Sequence, residues 1–114
     1  MERTRKTWGE KWSIFKNDLC EVSVLKLKPK QRCSWHQHKT KYNMFFVIEG
    51  HLIVKLNDGV STGFSDVYAD GIFTTRPGEW HEFQTNDEET TVIEIMYVQY
   101  DPSDIIRHKV GGPI

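Results

Sequence analysis

The chain has 114 residues, 38% hydrophobic and 27% charged, with a net charge of -1. That is the size and composition of one globular domain with one sizeable core, and it excludes a disordered chain. The balance of 15 basic against 16 acidic residues gives no basic excess for nucleic acid and no acidic solvating tail.

The opening MERTRKTWGEKW is charged, with no apolar stretch behind it, and does not read as a secretory signal. The longest apolar runs, such as Met44 to Ile48, are too short to span a bilayer, so no membrane partner is expected. The two cysteines, Cys20 and Cys33, fall on separate strand candidates and read as reduced thiols of a cytoplasmic protein.

In chain order, Trp8 and Trp12 flank Gly9 and read as a cover over an open barrel end. A strand is expected near Trp12 to Phe15, with Asn17-Asp18 as a turn. From Leu19 to Leu27, Cys20, Val22 and Val24 share one face, and Glu21, Ser23, Leu25 and Leu27 share the other. A strand at Cys33 to His38 puts His36 and His38 on one side and sends Cys33, Trp35 and Gln37 outward. Asn43 to Glu49 alternates Met44, Phe46 and Ile48 with Asn43, Phe45 and Val47, so it is apolar on both faces.

After Gly50 a strand returns over His51 to Leu56, and Asn57-Asp58-Gly59 is the strongest hairpin turn. Val60 to Tyr68 reads as weak strand and loop, Asp70-Gly71 as a turn, and Ile72 to Thr75 as a strand. Pro77-Gly78 turns the chain into Trp80 to Gln84, and Asn86 to Glu89 turns it again. Thr90 to Gln99 is a long β-branched strand. Asp101 and Pro102 read as an N-cap and first position, predicting a short C-terminal helix pinned by Ile105 and Ile106. Short strands and many turns predict an all-β barrel or sandwich.

Residue by residue, His36-x-His38 followed by Gly50, and Pro77-Gly78-Glu79-Trp80-His81 followed by Asn86, resemble the two motifs of the cupins. The resemblance implies a double-stranded β-helix, the jelly-roll barrel, over the whole chain. Trp8-Gly9, the run into Gly50, Val92 to Ile95, and Asp104 to Arg107 further resemble the C-terminal cupin of bacterial mannose-6-phosphate isomerases. The chain departs from those patterns at several points. Asn43 stands where a glutamate ligand is usual, Lys30 where a glycine is usual, Asp70-Gly71 where Gly-Asp is usual, and Arg76 where a proline is usual.

The resemblance places His36, His38 and His81 inside one barrel as metal ligands, with Asn43 as a fourth, weaker one. Three neutral imidazoles suit Zn²⁺, Fe²⁺, Ni²⁺ or Cu²⁺, and the lost carboxylate disfavours Mg²⁺ and Mn²⁺. Asn43 can also hydrogen-bond a ligand or a metal-bound water. Tyr42 reads as a lid, with a general acid at the pocket mouth as the alternative. Glu94 reads as a solvated strand residue, with a pocket base as the alternative. Arg107 reads as a surface residue, for which the resemblance implies a phosphate contact.

Three functions compete. One is a stand-alone metal cupin that binds a small polar molecule. A second is a sugar-phosphate isomerase or epimerase, for which Lys39, Lys41, Arg76 and Arg107 supply the cations and a positioned base is needed. A third is a non-haem iron dioxygenase of the three-histidine type. The apolar faces carrying Met44, Phe46 and Ile48, and Val92 to Val98, predict a homodimer.

Overall fold

A computed structural model gives the structure, which describes residues 2–99, 102–108 and 110–114. Among these, nine strands follow in order: β1 Glu2–Lys6, β2 Gly9–Lys16, β3 Cys20–Leu27, β4 Tyr42–Glu49, β5 His51–Asn57, β6 Thr62–Tyr68, β7 Ile72–Thr75, β8 Trp80–Thr85 and β9 Thr90–Tyr97. They form two antiparallel sheets, ordered β1-β2-β3-β9-β4-β7 and β6-β5-β8. The all-β jelly-roll expectation is met.

The expected C-terminal helix is absent among the described residues. Asp101, its proposed cap, lies outside them. Pro102-Ser103 form a turn, and residues 104–107 continue irregularly. Ile105 and Ile106 are 54% and 101% exposed, so no buried apolar face holds a helix there.

Two further expectations change. The N-terminal segment pairs as β1 with β2, Lys6 against Gly9, and so makes Thr7-Trp8 a turn. Trp8 packs edge-on to Phe83 with centroids 5.1 Å apart. Trp12 instead lies under the Arg3 guanidinium, 4.6 Å from it, so the two tryptophans do not form one cap. The weak segment before Tyr68 is a full strand, β6, paired along β5 from His51↔Tyr68 to Asn57↔Thr62.

Strand alternation explains the interior. Leu25 and Leu27 of β3, Phe45 and Val47 of β4, Leu52 and Val54 of β5, Val67, Phe83 and Val92 make one buried cluster. Each contributes about 1.5–3 kcal/mol on burial. Followed along the same inward rows, the residues turn polar. β3 continues to Ser23 and Glu21, β4 to Asn43, β7 to Thr75, β8 to His81 and β9 to Glu94. Ser23, Asn43, Thr75 and His81 are no more than 2% exposed. The barrel therefore has an apolar end and a polar end.

Two of the departures at turns have a backbone meaning. Lys30 has φ 56 and Asp70 has φ 70, the region glycine occupies freely. Gly50 has φ 93, and a Cβ there would stand 2.5 Å from the Glu89 carbonyl oxygen. Opposite responses follow. Lys30→Gly should raise stability by about 1 kcal/mol, whereas Gly50→Ala should lower it by more than ~1 kcal/mol. Denaturant unfolding checks both signs.

Candidate metal centre

The segment holding His36 and His38 runs along the free side of β8. His36 N donates to the His81 carbonyl at 3.1 Å, and His81 N donates back to the His36 carbonyl at 2.8 Å. Gly78 N donates to the His38 carbonyl at 2.9 Å. These bonds bring the two halves of the site together. Outward alternation places Trp35 and Trp80 in a stack, with centroids 6.2 Å apart and the Lys55 ammonium 4.6 Å from the Trp35 ring.

The rings of His36, His38 and His81 lie with centroids 5.1, 4.4 and 5.5 Å apart, and one ligand atom from each falls within 4.8 Å of the other two. His36 Nδ1 lies 2.7 Å from the Ser34 carbonyl oxygen, and His81 Nδ1 lies 3.1 Å from that of Glu79. A carbonyl only accepts, so in both rings Nδ1 carries the proton and the Nε2 lone pair is free. His38 Nε2 and His81 Nε2 are buried with no hydrogen-bond partner within the protein.

Burial pushes the His81 pKa down to about 4, and the neighbouring His36 and His38 push the same way. Burial also lowers that of His38, aided by His36 and Lys41. Neutral imidazoles with converging, unpartnered lone pairs fit a divalent metal of the zinc or iron kind.

Asn43 lies in the inner wall, as alternation requires. Its Nδ2 donates to Glu94 Oε2 at 2.9 Å, and its buried Oδ1 has no partner. Glu94 is therefore not the solvated residue expected. It faces inward between Ser23 and Phe45, where desolvation raises its pKa against the opposing Asn43 hydrogen bond. Glu21 lies one inward step away. Burial opposes its charge, but Lys11 at 2.7 Å and Ser13 at 3.0 Å outweigh this and hold its pKa low.

Cys33 also departs from its expected outward place. The segment pairs with β8 only at Arg32 and His36, so strict alternation lapses between them. Cys33 packs on the core and accepts from Phe83 N at 3.2 Å, and burial pushes its thiol up to about 12. A thiol held that high is not a nucleophile. Both cysteines are free.

Tyr42 is turned away from the inner wall, stacks on Tyr97 at 5.4 Å and donates to Gln99 Oε1 at 3.5 Å. Lys39, Lys41, Arg76 and Arg107 are exposed. A surface cleft of about 250 Å³ between Gly9, Lys26, Glu49 and Thr91 shares no residue with the histidine cluster. Residues that sequence reasoning did not assign to the site are Ser23, Thr75, Glu21 and Glu94. Their signal was a polar residue at an inward position of a strand.

A cupin domain model matches residues 23–98, well over half of the chain. The chain belongs to the cupins. This cupin is similar in fold to KdgF from Halomonas sp., with TM-score 0.74 and 13% identity over 88% of this chain and 90% of that one. It is also similar to the capsular polysaccharide assembling protein CapF from Staphylococcus aureus, with TM-score 0.76 and 21% identity over 90% of this chain and 30% of CapF. The cupin domain of Schizosaccharomyces pombe Cnp3 matches with TM-score 0.71 and 15% identity over 79% of this chain and 64% of that one. No curated protein matches the chain in sequence. Among the described residues, no helix is long and apolar enough to cross a membrane.

The His81 shift carries a pH signature. Its folded value lies below the ordinary 6.5, so the unfolded chain takes up the proton first. The stability from its neutral burial is complete above about pH 6.5 and is lost as pH falls toward about 4, by ~3 kcal/mol at most. In metal-free protein, His81→Gln should flatten the fall of melting temperature over that window. Equal slopes for both proteins would contradict it.

Proposed function

We propose that this cupin is a metal-dependent binder of a small polar molecule, with His36, His38 and His81 holding one divalent ion. The carrying observation is the convergence of three ring nitrogens within 4.8 Å, two of them buried and unpartnered. The donor set suits Zn²⁺, Fe²⁺, Ni²⁺ or Cu²⁺. Asn43 offers only Oδ1 to the bound molecule or to a metal-bound water, because Nδ2 is committed to Glu94. Bound there, the metal would supply Lewis acidity to polarise a carbonyl oxygen.

One observation favours a second reading, a sugar isomerase or epimerase akin to the mannose-6-phosphate isomerases. Glu94 is an inward carboxyl, positioned by Asn43 and held at a raised pKa by desolvation, which suits a group that moves a proton on a substrate carbon. Two free thiols support a reducing, cytoplasmic setting. The outer face of the large sheet, with Ile72 58% and Ile48 44% exposed, supports a homodimer packed through that face.

Metal analysis of the purified protein, followed by zinc titration, tests the proposal. One ion per chain is expected. His36→Ala, His38→Ala and His81→Ala should each weaken binding by more than the roughly 100-fold cost of losing a supporting contact. Full metal occupancy in a folded His36→Ala protein would overturn the placement. Light scattering at about the monomer mass of 13.4 kDa across micromolar concentrations would overturn the dimer.

A further inference from the structure

A strip of polar side chains crosses the inner wall that faces the histidines. Ser23 of β3 stands opposite Glu94 of β9, and Asn43 of β4 stands opposite Thr75 of β7. The Asn43–Glu94 hydrogen bond of 2.9 Å joins the two pairs. Phe45, level with Glu94 across the sheet, has its ring 6.5 Å from that of His81. The strip and the histidines therefore share the polar end of the barrel interior.

Ser23, Asn43 and Thr75 are each 1% exposed. Ser23 Oγ, Asn43 Oδ1 and Thr75 Oγ1 have no hydrogen-bond partner within the protein. Buried polar atoms are nearly always paired, and an unpaired one is costly. Three along one strip point to a group that enters the polar end of the barrel and pairs with them. We infer that Ser23, Glu94, Asn43 and Thr75 form the recognition surface of the site, and that its ligand is a neutral molecule carrying several hydroxyl groups. This deepens the metal-centred reading and rests on it.

The donor and acceptor pattern selects the class. Asn43 Oδ1 can only accept, so the ligand must donate to it. A phosphate or carboxylate oxygen only accepts, so it cannot serve Asn43 Oδ1. A hydroxyl both donates and accepts, so it can serve Asn43, Ser23 and Thr75 alike. Strands lie about 4.8 Å apart, so the strip spans on the order of 14 Å along the sheet, wide enough for several hydroxyls. Phe45 and the partly buried Phe73, level with Glu94 across the sheet, offer an apolar patch for the C–H face of a sugar or polyol.

The test titrates zinc-loaded protein with D-glucose, D-mannose and myo-inositol, and with glucose 6-phosphate and mannose 6-phosphate. Calorimetry and ligand-observed NMR read the binding, and zinc content is measured in each sample. At least one neutral probe should bind, and each phosphate should bind more weakly than its neutral parent. Ser23→Ala and Thr75→Val should each weaken the neutral probe at least fivefold with zinc content unchanged. Thr75→Ser, which keeps the hydroxyl, should bind as the natural protein does.

Failure of all three neutral probes overturns the inference, as does tighter binding of a phosphate than its parent. Unchanged affinity in Thr75→Val and Ser23→Ala also overturns it, because the strip then holds water only. If zinc does not load, the metal reading fails separately. The same probes titrated into metal-free protein then decide the strip alone, with the same outcomes.

Discussion

The site depends on two backbone hydrogen bonds exchanged between His36 and His81, 3.1 and 2.8 Å long. They clamp a segment that has no regular strand of its own onto β8, and they set the ring of His36 beside that of His81 at 4.4 Å. The clamp also orients both rings. Each Nδ1 faces a carbonyl two residues back along its own chain, Ser34 for His36 and Glu79 for His81. These backbone carbonyls, with Ser34 Oγ also 3.1 Å from His36 Nδ1, engage one nitrogen of each ring and leave the other free. Hydrogen bonds of this kind outside the donor shell usually decide how strongly a histidine site holds its metal.

The second constraint is the gradient inside the barrel. Leu25, Val47, Val54 and Val92 fill one end and supply the apolar burial that stabilises the fold. Ser23, Asn43, Thr75 and Glu94 hold inward positions of the same strands at the other end and contribute no such burial. A chain selected for stability alone would extend the apolar rows. The polar end is the sort of local inconsistency that marks a functional site. Replacement of a carboxylate by Asn43 fits the same picture. With Glu94 2.9 Å away, a glutamate at 43 would set two carboxyls against each other, whereas the amide donates.

Much of this was legible in the sequence. Alternation on the segment holding His36 and His38, and the Pro77-Gly78 turn before His81, identified the three histidines that the structure brings together. Alternation likewise put Glu21 and Ser23 on the same face as Leu25 and Leu27. What it could not supply was the meaning of that face, because the register of β3 against β9 is a tertiary fact. Glu94 was misread as solvated for that reason. Cys33 was misplaced because alternation holds only where a strand is continuously paired, and its segment is paired at two points. The helix after Asp101 rested on a cap pattern alone, and the exposure of Ile105 and Ile106 shows that no core face waits to bury it.

X-ray absorption at the zinc edge of protein loaded with one equivalent of zinc tests the central claim most directly. Three imidazole nitrogens at about 2.0–2.1 Å, with the remaining positions filled by oxygen, are the predicted first shell. A shell of oxygen donors without imidazole, or one containing sulfur from Cys20 or Cys33, would contradict it.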